Sequence, residues 1–435
     1  MFGYYFKLGL RSLRRNHYLT ALMVLTLAIG VAASVSTLTI LHAMSGDPIP
    51  SRSERLFVPY IDNEQPENYI PGEEPADMQM TYQDAVNLLR LMPAERGTAL
   101  FGTGMPIEPP RADLPPFSGY GLAPTRDFFA MFDVPFLHGQ PWSAEEEARG
   151  ANVVVLNRET AGKLFGDANP VGQRLRMRGE PFTVVGVLDT WNPLPRYYKL
   201  IGSGPDAGAQ FMVPLTTAVR RELPAYGSVN CSQSRDNGYA ALLASECTWI
   251  QLWFETRSGM DRNGLQAALQ NYVGEQRKLG RLKRPAPVEL YNVMEWMEKQ
   301  KVVGNDTRLS VWLAFGFLVL CLVNTIGLLL AKFSVRAAEV GIRRALGASK
   351  SDIFRQFLIE TGVVGLAGGA LGLVLAFGAL ALIGMGSTGV AAAARMDWQM
   401  LALTFVMSVL AALIAGLLPT WRACQVTPAI QLKSQ

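Results

Sequence analysis

The sequence predicts an α-helical membrane protein with four transmembrane helices and a large extracytoplasmic α+β domain inserted between helices 1 and 2. Three observations predict it. The 435 residues are 49% apolar and only 17% charged, against about 25% charged in an ordinary soluble domain. Four windows hold no Asp, Glu, Lys or Arg: Asn16–Gly46, Leu309–Ala331, Thr361–Ala394 and Trp398–Trp421. Each exceeds the roughly 20 apolar helical residues that cross a bilayer core. The short segments between them are basic on one side and neutral on the other, as the positive-inside rule requires. So apolar a chain would collapse rather than stay disordered. Its net charge of +4 is too small to argue for nucleic acid.

Each element follows in order. Residues 1–16 carry Lys7, Arg11, Arg14 and Arg15 with no acid, which places the N-terminus in the cytoplasm. Helix 1 is expected over 17–44. Its apolar run is longer than a signal-peptide core of about 7–15 residues, and Ala43-Met44-Ser45 is a poor cleavage site, so it is expected to remain as an anchor. Its uncharged run would span about 46 Å, which exceeds the hydrocarbon and implies a tilt or an outward stalk. Residues 45–308 form the extracytoplasmic domain and are net acidic. Helix 2 (309–332) leads to a cytoplasmic elbow (333–349), and residues 332–355 hold six basic side chains and two acids. Helix 3 (350–383), a short loop (384–397) in which Arg395 and Asp397 cancel, helix 4 (398–420) and a basic tail (421–435) complete the chain. Both termini are expected inside.

Within the large domain, Ala151–Leu156, Glu180–Asp189 and Trp249–Thr256 read as strands. Glu159–Phe165 reads as a short helix ended by the turn Gly166–Pro170. Asn263–Arg277 reads as a helix with Leu265, Leu269, Tyr272 and Val273 on one face. Asp62–Pro75 and Thr103–Gly121 are rich in Pro and Gly and read as loops.

No local motif for catalysis is present. Gly347-Ala348-Ser349-Lys350-Ser351 lacks the second glycine of a phosphate loop and follows no strand. The three histidines, His17, His42 and His138, are scattered, and no His-Glu-x-x-His or Cys-x-x-Cys exists, so no metal site is expected. Cys231 and Cys247 are the only cysteines of the extracytoplasmic segment. An oxidising compartment predicts that they pair, closing a loop worth about 3 kcal/mol in the chain-entropy account; two free thiols are the alternative. Gly368-x-x-x-Gly372 in helix 3 permits close helix approach, either within the subunit or at a dimer seam. Glu360, near the end of helix 3, can snorkel or pair with a nearby arginine.

The elbow is the most informative stretch. Val335, Ala338, Ile342, Ala345 and Leu346 fall on one face of a short helix, and Arg336, Glu339 and Arg343 on the other. Gly347 suits the left-handed position that ends it, and Ser349-Lys350-Ser351-Asp352 reads as a capping box opening helix 3. Such a connector either hugs anionic headgroups or is received by a cytoplasmic partner.

This stretch resembles the coupling region of the MacB/FtsX-type (type VII) ABC transporter permeases. The residues that carry the resemblance are Arg336, Glu339, Gly341, Arg343, Arg344, Ala345, Leu346, Gly347 and Ala348, continuing through Gln356–Glu360. Leu8–Asn16, Leu418–Ala423 and Pro428-Ala429 are similar to the family's opening and closing, and Phe128–Gly139, Val153–Leu175, Phe182–Val187 and Phe211–Leu215 to its periplasmic core. Two departures stand out: no nucleotide-binding domain is present, and Arg220–Glu246 reads as an insertion that carries or abuts both external cysteines.

The resemblance implies a mechanotransmitting permease in the bacterial inner membrane, not itself an enzyme. ATP and Mg would be bound by a separate cytoplasmic ATPase dimer and no cofactor by this chain. A second permease copy or a similar permease would complete the dimer, and a periplasmic adaptor and outer-membrane duct would complete an efflux assembly. Arg336, Glu339, Gly341 and Arg343–Gly347 would touch the ATPase. Lipoprotein release, or FtsX-like regulation of a cell-wall hydrolase, are the rival outputs; a membrane-anchored enzyme would need a dispersed site that no motif signals.

Overall fold

A computed structural model describes residues 17–64, 69–71, 79–200, 208–231, 237–386 and 398–424. The chain divides into two compact units, Gly46–Val302 and the remainder. The second unit begins with helix α1 (His17–Ser45), which has no charged residue and buries Met23, Leu27, Ala28 and Val31.

The Gly46–Val302 unit is built on one mixed sheet. In chain order its parts are β1 (Leu56–Tyr60), β2 (Met80–Thr81), α2 (Tyr82–Leu91), β3 (Arg96–Glu108), β4 (Phe117–Pro124), β5 (Phe136–Gly139), β6 (Val153–Leu156), α3 (Arg158–Phe165), β7 (Arg174–Met177), β8 (Glu180–Leu188), β9 (Phe211–Met212), β10 (Thr248–Glu255), α4 (Arg262–Lys278), β11 (Glu289–Asn292) and α5 (Val293–Lys299). The strand order is β11-β1-β10-β3-β4-β9-β6-β8-β5, with β2 beside β10 and β7 bridging β3 and β8. Alternate residues feed two apolar clusters, one on each face. Phe57, Phe101, Val154, Leu156 and Phe254 enter one; Leu56, Val58, Leu100, Val153, Val155 and Trp253 enter the other. Cover on both faces explains why β6 and β10 are buried along their whole length and why β6 is an unbroken apolar run rather than an alternating one.

The helices form for local reasons. Asn157 caps α3 by accepting from the Thr160 amide at 2.8 Å, and Gly166, at φ +67°, ends it. Thr81 caps α2 by accepting from the Asp84 amide at 3.0 Å. Helix α4 buries Leu265, Leu269, Tyr272 and Val273, the face its periodicity predicts.

The predicted loop at Thr103–Gly121 is not a loop. Strands β3 and β4 pair from Leu100–Pro124 to Ile107–Phe117, so most of that stretch is hairpin. Its glycines mark crowding rather than turns: a Cβ at Gly121 would lie 2.3 Å from the Phe211 ring, and one at Gly119 2.4 Å from Ile107. The predicted loop at Asp62–Pro75 falls largely outside the described residues. Around the predicted insertion, Arg220 closes a short helix, Tyr226 donates from its amide to Gly102 at 2.6 Å, and Tyr239–Ala244 is helical.

The other unit continues with α6 (Asn305–Ser334), α7 (Ala337–Ala345), α8 (Lys350–Gly386) and α9 (Trp398–Cys424). Among the described residues, three helices are long and apolar enough to cross a membrane: His17–Ser45, Asn305–Ser334 and Lys350–Leu382. Val409–Arg422, within α9, is a shorter apolar stretch. Gly368 and Gly372 seat α8 on α1: a Cβ at Gly368 would meet Leu27 at 2.8 Å, and one at Gly372 would meet the Ala28 carbonyl and Val31 at 3.1 Å. Gly416 brings α9 equally close to Thr361 of α8.

Candidate functional site

The elbow between α6 and α8 folds as its sequence dictates. Helix α7 ends in two backbone bonds, Gly347 N–H to Arg344 C=O at 3.2 Å and Ala348 N–H to Arg343 C=O at 3.0 Å. That pattern requires a left-handed residue between them, and Gly347 supplies it at φ +100°. Ser349 then opens α8: its hydroxyl accepts from the Asp352 amide at 3.1 Å while its own amide donates to the Asp352 carboxylate at 3.3 Å.

The packing of α7 shows which of its two faces meets α8. Val340 is 5% exposed and joins Met23, Leu329, Phe333, Ile353, Phe357 and Val364 in one apolar cluster. Gly341 is buried beside it. Val335, Ile342 and Leu346, which share the apolar face read from the sequence, are 75%, 57% and 83% exposed, and Ala345 is exposed with them. The polar side lies inward instead. Arg343 donates to Glu339 at 2.7 Å and to Gln356 of α8 at 2.9 Å. Arg336, Glu339, Val340 and Arg343 line a small cleft with Ile353, Gln356 and Phe357 of α8. The reason is length: one turn of contact needs only Val340 and Gly341 as apolar filler, and the long polar stems cover the rest.

Beneath the elbow lies a buried charge group, and it includes the pairing of Glu360 with a nearby arginine that the sequence allows. Glu360 of α8 receives Lys332 Nζ at 2.7 Å and Arg336 at 3.1 Å. The Lys332 side chain is fully buried and that of Glu360 is 3% exposed. Lys332 is the member the sequence reading missed, and its only signal is its place at the edge of an uncharged window. Of the elbow residues predicted to act together, the structure places Arg336, Glu339, Gly341 and Arg343 on the α8 side. It places Ala345, Leu346 and Gly347 outward, with Arg344 half-buried.

In the other unit, Cys231 and Cys247 form a disulfide, S–S 2.08 Å. It lies beside the bridge between Asn230 and Thr248 of β10, so it fastens the predicted insertion to the sheet. Arg281 adds a second fastening by donating to both oxygens of buried Asp84 and to Glu246. Burial opposes its charge, but the bonds to Glu246 and Asp84 prevail and raise its pKa above the ordinary arginine range. Burial, helped by the Asp84 charge, pushes the Tyr272 phenol up in turn. No cluster of three metal-ligating side chains occurs among the described residues.

Residues 20–272 match the family model of the MacB-like periplasmic core domain, and residues 311–428 match that of the FtsX-like permease C-terminal domain. The chain is 26% identical to the macrolide export ATP-binding/permease protein MacB of Azoarcus sp. (strain BH72), over 98% of this chain and 59% of that protein. It is 28% identical to the pyoverdine export ATP-binding/permease protein PvdT of Pseudomonas entomophila, over 71% of this chain and 42% of that protein. The chain thus spans about half the length of the curated relatives it matches. Among solved structures, the periplasmic region of MacB from Actinobacillus actinomycetemcomitans aligns with 59% of this chain and 96% of its own, at 12% identity and a TM-score of 0.36.

Proposed function

The chain belongs to the MacB/FtsX-type ABC transporter permeases, and we propose that it turns ATP hydrolysis by a separate ATPase subunit into movement of its extracytoplasmic domain. The observation that carries this reading is the outward apolar face of α7. Ile342 and Leu346 project from a short helix that is itself tied to α8 by Arg343 and Gln356. A free apolar face on a firmly seated helix fits a partner that pushes on it.

The far end fits the same reading. Helix α1 runs on into β1, and β11 runs through α5 into α6. Strands β1 and β11 are neighbours, paired from Phe57–Asn292 to Tyr60–Glu289. Both membrane connections therefore lead into neighbouring strands of one sheet, and in this reading movement of the helices is passed to that strand pair. Arg52, in the connection from α1, donates to fully buried Glu255 of β10 at 2.5 Å and to Asp133 at 2.9 Å, which stiffens that entry. Glu255 also receives Arg96 at 2.8 Å.

In this reading α9 is the fourth spanning helix, both termini are cytoplasmic and the membrane is the bacterial inner membrane. Two permease chains sit on two ATPases that bind ATP and Mg. The output is efflux of a peptide, toxin or small molecule through a periplasmic adaptor and an outer-membrane duct, in keeping with the macrolide and pyoverdine export named for the relatives. Ile342→Glu and Leu346→Glu test it. Each leaves the α7–α8 contacts in place, and together they are expected to abolish co-purification of the ATPase with the detergent-solubilised chain. Full retention of the ATPase by the double variant would refute the docking face. Recovery of a hydrolase or a lipoprotein chaperone instead of an adaptor would redirect the output.

A further inference from the structure

The Glu360 charge group joins three pieces of the elbow. Lys332 belongs to the last turn of α6, Arg336 to the junction that opens α7, and Glu360 to the third turn of α8. Lys332 and Arg336 are one helical turn apart, and between them the chain passes from α6 to α7. A single carboxylate therefore spans the break. Its surroundings are dry: Lys332 is fully buried, Glu360 is 3% and Arg336 12% exposed. Charges in such a place attract strongly and cannot exchange partners with water at low cost. Apolar contact supports the same spot, with the Phe333 and Phe357 rings 4.3 Å apart. Apolar contacts slide, whereas here one Arg336 nitrogen reaches both Glu360 oxygens, at 3.2 and 3.1 Å, and Lys332 Nζ lies 2.7 Å from one of them, so the charges favour one arrangement.

We propose that Glu360 is a positioning residue that transmits displacement of α7 jointly to α6 and α8. A push on α7 carries Arg336 with it. Through Glu360 the push reaches α8, and through Lys332 it reaches α6, so the two membrane helices move together instead of α7 hinging alone at Val335. The proposal rests on the reading that an ATPase drives α7.

The test uses the full chain with its ATPase in nanodiscs and three measurements: co-purification of the ATPase, ATP hydrolysis, and the ATP-dependent distance change between spin labels on the extracytoplasmic domains. Glu360→Gln preserves shape and removes the charge. It is expected to keep the ATPase bound and hydrolysing while reducing the ATP-dependent distance change by roughly tenfold. Because it strands Lys332 in a dry site, the paired variant Lys332→Met with Glu360→Gln accompanies it. The pair removes the two most buried of the three charges and leaves Arg336, 12% exposed, with the glutamine oxygen to donate to, so folding is expected to be restored while coupling stays lost. A merely structural role predicts that coupling returns with the pair. Loss of ATPase binding by the wild-type chain would defeat the underlying reading. Binding and movement by Glu360→Gln at wild-type levels, or recovery of movement by the pair, would defeat the transmission role alone.

Discussion

Arg281 illustrates how a single side chain organises a surface segment. It lies between Asp84 at the start of α2, which is fully buried, and Glu246, which precedes the disulfide cysteine Cys247. Removing one partner of a buried ion pair leaves the other uncompensated, at about 3–5 kcal/mol. Arg281→Met is therefore expected to lower the denaturation midpoint of the extracytoplasmic domain and to loosen the segment before Cys247, which thermal unfolding of the full chain and amide exchange would register. An unchanged midpoint would show that the disulfide alone holds that segment. Both acids and the arginine are plain in the sequence, but their partnership is not, because Asp84 and Arg281 are far apart in the chain and meet only through the packing of α2 against α4. Cys231 and Cys247 were legible for the opposite reason: compartment and exclusivity narrow the partners of a cysteine in a way that nothing narrows those of an arginine.

At the scale of elements, the legible parts are those whose cause is local. Val153–Leu156, the helix after Asn157 and the α4 face with Leu265, Leu269, Tyr272 and Val273 follow from run length, capping and periodicity. The β3–β4 hairpin hides because its glycines answer to distant neighbours, Phe211 among them, and so mimic turn punctuation. The short strands β2 and β9, two residues each, carry too little pattern to be read. Helix α7 shows both outcomes. Its ends are written in Gly347 and Ser349-Asp352, whereas its orientation is set by which side finds α8, and amphipathic pattern gives a face without saying what it faces. The boundary at Gly347 can be tested. A β-branched residue at φ +100° is strained, so Gly347→Val is expected to cost about 1–2 kcal/mol and to raise amide exchange across residues 340–353. Wild-type exchange there would mean that the turn tolerates another backbone form.

The whole molecule combines two units of different solvent. One is a two-faced sheet with apolar clusters on each side. The other is a set of apolar helices whose close approaches are made by Gly368, Gly372 and Gly416. The sequence shows this division directly, because four long uncharged windows flank the 45–308 segment on both sides. It does not show that the chain enters and leaves the sheet on adjacent strands, β1 and β11, since strand adjacency is a property of long-range pairing. In the proposed function, effort enters at the outward face of α7 and the load is the sheet. The most direct test labels the exposed residue Glu145 as Glu145→Cys and reads the distance between the two copies in the ATPase-bound assembly by pulsed electron spin resonance, with and without ATP. A nucleotide-dependent change in that distance, absent with a hydrolysis- and binding-deficient ATPase, is the predicted result. Identical distances in every nucleotide state, with the ATPase bound and turning over, would contradict it.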